Sequence, residues 1–307
     1  MSSRERRSGH SSLEDIFNAA LARLDRPLRA WSLIVTVFGD VVAPRGGSLW
    51  LGTLNDIMGA FGIGEGVVRT AMSRLAADGW VTRDRIGRNS YYRLTPKATA
   101  LSEAAAVRIY RLPQRGWSGT WSLVVPKDEP GTRLADRRAA LHQAGFAQLS
   151  SGLFIAPADH DVPDEAARVF AFSARSSRAK TDDLEQDREI ARSAWKLDEI
   201  AGGYRAFCDH YAPVASALAP PHGGSDLAAL GLRLLLVHEL RRVALRDPGL
   251  PLDLLGSDWA GLEARALARK IWLACLKPSE RWLDTHASGL DGALPAPSPE
   301  LLRRFKT

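Results

Sequence analysis

The chain has 307 residues, 45% of them apolar and 25% charged, with 2 cysteines and a formal net charge of +6. This excludes a disulfide scaffold and a disordered polyelectrolyte, and no apolar run approaches the ~20 residues that a helix needs to span a bilayer. Residues 1–97 hold 14 Lys and Arg against 9 Asp and Glu, so five of the six net charges fall in the first third. A basic module on a near-neutral body points to a polyanion partner for that module. Cys208 and Cys275 stand far apart with no metal-ligand spacing, and residues 1–10 lack the apolar stretch of a signal peptide; a reduced, cytoplasmic protein is expected.

Residues 1–26 are expected to be a flexible tail, with a short amphipathic helix over 13–24. Residues 27–112 are expected to form a DNA-binding domain. Its first element is an apolar helix over 29–38, followed by a polar, glycine-containing stretch over 40–48. Thr53 and Asp56 have the spacing of a capping box before the apolar face of Leu54, Ile57, Met58 and Phe61. Gly62 can end that helix, and residues 62–65 then make a turn short enough to hold a second helix at a steep angle.

That second helix, over 65–78, places Val68, Ala71, Met72 and Leu75 on one face. The opposite face carries Gly66, Thr70, Ser73 and Ala77 with Arg69 and Arg74 at its flanks, small or polar groups suited to close approach in a major groove. Two alternating segments, 80–85 and 91–95, joined by a turn over 87–90, form a hairpin with Arg83, Arg85, Arg88 and Arg93. Helix, turn, helix and basic hairpin in sequence predict a winged helix-turn-helix. Its expected DNA contacts are Val67, Arg69, Thr70, Ser73, Arg74, Arg85, Arg88 and Asn89. A connector helix over 96–111 and a linker over 113–116 follow.

Residues 113–180 alternate as strand (119–126), helix (133–144), two strands (146–149 and 153–156) and a further strand near 169–173. This is most of a ferredoxin-like fold, with only 164–168 left for its second helix. Residues 181–307 are expected to be mainly helical and to serve effector binding and dimerisation. Trp195, Leu197, Ile200, Tyr204 and Phe207 recur on one face, Leu230, Leu234, Val237 and Leu240 on another, and Leu262, Leu267, Ile271 and Leu276 on a third. The overall class is α+β.

Several strings resemble PaaX-type transcriptional regulators, the family named for the repressor of phenylacetic acid catabolism. They are Phe61-Gly-Ile63, Val68-Arg-Thr-Ala71, Ser73-Arg-Leu75 and Asp78-Gly-Trp80, then stretches within 117–125 and 145–157. In the last third they are Trp195-Lys-Leu197, Tyr204-Arg-Ala-Phe207, His238-Glu-Leu-Arg-Arg242, Arg246-Asp-Pro248, Leu250-Pro251 and Asp258-Trp-Ala-Gly261. The resemblance covers about residues 28–285. It implies a homodimeric, non-enzymatic repressor on a partly palindromic operator, released by an acyl-CoA such as phenylacetyl-CoA, with no cofactor or metal. His238, Arg241 and Arg242 are the candidate effector contacts, because guanidinium groups suit the phosphates of coenzyme A. Two other readings stand beside this one. One is a metal-dependent nuclease built on the ferredoxin-like domain with Asp128 as a ligand. The other is an architectural protein that binds DNA without sequence preference.

Overall fold

The computed structural model describes residues 12–127, 132–158, 160–163, 169–176, 184–218 and 223–305. Asp128 and the expected position of a short second helix, 164–168, lie outside these residues.

The chain begins with helix α1 (Leu13–Ala22), closed at its start by a capping box in which Ser12 and Asp15 satisfy each other's backbone N–H. Leu13, Ile16, Phe17 and Ala20 are buried, so this part of the expected tail is packed structure. Helix α2 (Ala30–Val37) runs on into a π-helical turn (Phe38–Val42) and a 3-10 turn (Ala43–Arg45). The polar, glycine-containing stretch over 40–48 is thus helical as far as Arg45, and Asp40 and Arg45 are drawn inward by ion pairs.

Strand β1 (Ser48–Trp50) leads directly into α3 (Leu51–Gly59). The expected cap at Thr53 does not form. Trp50 is the N-cap residue, and Thr53 is a fully buried helical residue whose hydroxyl donates to the carbonyl of His286. Next come α4 (Glu65–Ala77), β2 (Val81–Ile86), β3 (Asn89–Leu94) and α5 (Pro96–Tyr110), the last capped by the Thr95 hydroxyl. The three strands form one antiparallel sheet in the order β1-β3-β2.

The central segment contains β4 (Trp121–Pro126), α6 (Thr132–Gln143), β5 (Ala147–Ser150), β6 (Leu153–Pro157), β7 (Val169–Ala174) and α7 (Glu185–Trp195). Its strands form an antiparallel sheet in the order β5-β6-β4-β7. Val124, Phe154 and Ala156 on one face pack with Phe146 and with Leu141 of α6. Trp121 stacks among Trp117 and Trp195 and donates its indole N–H to buried Asp187 at 2.7 Å. The expected linker at 113–116 is pinned: the Gly116 and Trp117 N–H groups donate to the Asp253 carboxylate and hold its pKa below the ordinary value.

The last segment has α8 (Leu197–Ala217), α9 (Asp226–Ala244), α10 (Leu252–Leu255), α11 (Ala260–His286), the short pair β8 (Ser288–Gly289) and β9 (Gly292–Ala293), and α12 (Pro299–Arg303). Lys196, with φ 51°, separates α7 from α8, so the stripe expected from Trp195 to Phe207 is divided. Helix α9 is buried on nearly every side from Ala228 to His238, beyond the single expected face of Leu230, Leu234, Val237 and Leu240, and this stretch includes the polar Arg233 and His238. On α11, Ile271 is buried as expected. Its neighbours in the core, however, are Ala264, Ala268, Trp272 and Cys275, with Leu262, Leu267 and Leu276 left at the edge of the buried face.

Two compact units result. One comprises Met1–Arg111, Arg205–Ala244 and Glu263–Thr307; the other comprises Leu112–Tyr204 and Leu245–Leu262. Compact units therefore do not follow the chain-order division, because α1 and much of the last segment pack with the N-terminal elements. Helix α9 is the reason: α1, α2 and α5 all lie against it. Gly231 allows the closest of these approaches, since a Cβ there would stand 2.9 Å from the Phe17 ring.

Candidate nucleic-acid interface

The site begins with the α3–α4 connection. The N–H of Ile63 closes back on the carbonyl of Met58, and Gly62 takes φ 71°, a left-handed C-terminal cap that turns the chain sharply. Helix α4 then starts at Gly64 without any side-chain cap. Val68, Ala71, Met72 and Leu75 are buried as their spacing predicts, and α2 and α3 pack against α4.

Each helical residue expected to contact DNA is on the open face. Val67, Arg69, Thr70, Ser73 and Arg74 are all exposed, Val67 by 55% despite being apolar. Thr70 donates its hydroxyl back to the Gly66 carbonyl at 2.9 Å. Arg74 makes only a loose 3.8 Å pair with Asp78. From Gly66 to Ala77 the helix carries no acidic residue.

The hairpin closes through the two residues Gly87 and Arg88, with Ile86 paired to Asn89 and Arg85 to Ser90. Its arginines divide into two kinds. Arg83 donates to the Ser90 hydroxyl, and Arg93 pairs with Asp84 at 2.7 Å, so both brace the ladder. Arg85 and Arg88 are exposed and, like Arg69, form no ion pair among the described residues. Asn89 is also exposed, on the hairpin face opposite Arg85.

The candidate effector residues sit on α9 in different surroundings. His238 is buried, its Nδ1 2.9 Å from the Thr36 hydroxyl of α2. Burial, with the nearby Arg241 and Arg242 charges, pushes its pKa down to about 3, so the ring is neutral. Arg241 donates to the same hydroxyl and to the Ser32 carbonyl, while Arg242 pairs with Glu239 on its own helix.

A buried ionic cluster in the same unit has no counterpart in the expected site. Arg233 of α9 bonds Asp40 at 2.7 Å and Glu280 at 2.6 Å. Arg45 pairs with Glu280 and Asp284, and Tyr110 and Arg304 also converge on Asp40. These positions lie up to 264 residues apart, and no periodic signal links them. No group of three or more His, Cys, Asp or Glu residues suited to a metal occurs among the described residues, and none of their helices is long and apolar enough to cross a membrane.

The chain matches the PaaX-like protein family over residues 29–98 and the PaaX-like C-terminal domain over residues 195–285. It is 32% identical over 298 residues to "Transcriptional repressor PaaX" of Escherichia coli (strain K12), an alignment covering 91% of this chain and 90% of that protein. The chain belongs to the PaaX-like family. PaaX-family transcriptional repressors are not enzymes. The family's N-terminal match spans α2 to the start of α5, and so holds the whole candidate interface. Its C-terminal match takes in α8, α9 and most of α11. A solved structure, "Uncharacterized protein Rv0674 from Mycobacterium tuberculosis", is 25% identical and superposes with a TM-score of 0.51 over 75% of this chain and 89% of that one.

Proposed function

We propose that this PaaX-family protein is a cytoplasmic, sequence-specific transcriptional repressor. In this reading it binds a partly palindromic operator as a homodimer, controls an aromatic-acid catabolic operon of the phenylacetate type, and is released by an acyl-CoA such as phenylacetyl-CoA. The supporting relative is named as a transcriptional repressor. The observation that carries the reading is the open face of α4, small and basic, flanked by wing arginines with no ion pair among the described residues.

As a winged helix-turn-helix, the unit would place α4 in the major groove. Arg69, Thr70 and Ser73 would meet base edges, Val67 a thymine methyl, and Arg74 a phosphate. The uncapped first turn of α4 leaves backbone N–H groups for another phosphate. Arg85 and Asn89, on opposite hairpin faces, and Arg88 at the tip would contact the adjacent backbone or minor groove. The strand order of the central sheet supports the ferredoxin-like reading, as does its β-α-β-β-β sequence. For His238 and Arg241, the shared Thr36 hydroxyl supports a role in positioning α2. Of the three candidate effector contacts, Arg242 is the exposed one, which favours it for a ligand phosphate.

Footprinting of DNA upstream of the protein's own gene tests the reading. Two protected half-sites about 10 base pairs apart, or a multiple of that, are expected. They should vanish with Ser73→Glu, while the circular dichroism spectrum stays unchanged. Uniform protection without half-sites would favour an architectural protein instead.

A further inference from the structure

We propose that the cleft between α5 and α12 is a binding site for an apolar organic anion, and that its occupant acts on α4 through Asp40. The identity of the physiological occupant rests on the effector reading above; the assignment of the cleft does not.

The cleft has a volume of about 640 Å³, within the usual range of small-molecule sites. Ala43, Pro44, Ala106, Val107 and Leu301 supply apolar walls, and half of Val107 is open to solvent. Three arginines line it, Arg111, Arg303 and Arg304, with two acidic residues, Glu103 and Glu300. The Glu300 carboxylate is engaged by the Ser298 hydroxyl. An apolar body with one anionic end matches these walls and cations. A free carboxylic acid and a phosphate-bearing thioester share that chemistry.

The floor ties the cleft to the interface. The Tyr110 hydroxyl donates to Asp40 at 2.6 Å, and Arg304 donates to the Asp40 carboxylate, to the Asp40 carbonyl and to that of Gly39. Gly39 and Ala43 line the cleft themselves, and the turn that carries them continues α2, which packs on α4. An anion that competes with Asp40 for Arg304 therefore favours a different setting of that turn. The occupant shifts DNA affinity by as much as it prefers one setting over the other.

The test uses the full chain and the aromatic anion 8-anilinonaphthalene-1-sulfonate as probe. Saturable fluorescence enhancement is expected with the wild type. Val107→Trp, which fills the cleft, should weaken it at least tenfold, and Arg303→Glu severalfold, with unfolding midpoints unchanged. Phenylacetyl-CoA, phenylacetate and coenzyme A are then added as competitors. Displacement by the thioester or by the free acid supports the cleft and identifies the source of the anion. Displacement by none of them keeps the cleft as an anion site and removes the acyl-CoA effector from it. Absence of probe binding by the wild type, or equal binding by Val107→Trp, overturns the proposal.

Discussion

Arg233 and Asp40 lie 2.7 Å apart with both side chains shut off from water, joining the core helix α9 to the turn that ends α2. The Asp40 carboxylate also accepts from Tyr110 and Arg304, so one carboxylate holds three elements. Burial pushes its pKa upward, but the Arg233 and Arg304 charges outweigh that and hold it below the ordinary carboxylate range. Removing the Asp40 charge leaves Arg233 with Glu280 alone and takes the carboxylate from Arg304, so buried positive charge is left under-compensated. Asp40→Asn should therefore cost about 3–5 kcal/mol, seen as a fall of roughly 10 °C in Tm. In the wild type this stabilisation is present above the unfolded carboxyl pKa of about 3.9. It is lost as pH falls through the lower folded value. A Tm for Asp40→Asn within a degree of wild type at pH 7 would refute the account of the cluster.

The neutral His238 gives a second pH dependence at higher pH. Its folded pKa of about 3 lies far below the ordinary histidine value. Below about pH 6.5 the unfolded chain takes up a proton that the folded chain refuses. The wild type should therefore lose about 1.4 kcal/mol per pH unit between pH 6 and pH 4 relative to His238→Gln. Denaturant melts of both proteins at three pH values measure the difference. Parallel curves would mean that the imidazole is protonated in the folded state.

Recognition-helix and wing residues should separate by the kind of loss. Arg69→Ala should cost about 1–3 kcal/mol on the preferred sequence and relax the preference at one base position. Arg88→Ala should weaken binding to all sequences alike and lower the salt slope by about 1. Arg83→Ala, which loses its bond to Ser90, should act on hairpin stability rather than on the salt slope alone. Titrations at several salt concentrations distinguish the three; the same salt slope in Arg88→Ala as in wild type would remove Arg88 from the interface.

Gly231 and Phe17 should show strong coupling. A methyl at 231 meets the Phe17 ring, which is itself held edge-on against Phe61 at 5.2 Å. Gly231→Ala should cost about 1–3 kcal/mol by overpacking. Adding Phe17→Leu should recover part of that loss, as neighbours in direct contact do not add. Additive losses in the double variant would show that α1 docks by other contacts.

The exposed face of α4 was legible in the sequence because periodicity carries it. Val68, Ala71, Met72 and Leu75 repeat at helical spacing, so the outward set followed by subtraction, and alternation located β2 and β3. Which hairpin arginines were already engaged was not legible, since Arg83 on Ser90 and Arg93 on Asp84 depend on the strand register. Thr53 resembled a cap because the local spacing suits one; a carbonyl 233 residues away claims its hydroxyl instead. The surroundings of the candidate effector contacts His238 and Arg241 were not legible, because their partner Thr36 lies on α2, more than 200 positions earlier. Asp40 carried no signal for a similar reason: its partners on α9 and after α12 become neighbours only when the chain has folded.

The central claim is specific DNA binding through α4, and fluorescence anisotropy tests it most directly. Full-length protein would be titrated onto a labelled duplex from upstream of its own gene at two salt concentrations, with scrambled duplex as competitor. The account predicts tight binding that scrambled DNA does not displace and that Ser73→Glu abolishes with the fold intact. Equal affinity for the two duplexes at both salt concentrations, or undiminished binding by Ser73→Glu, would contradict it.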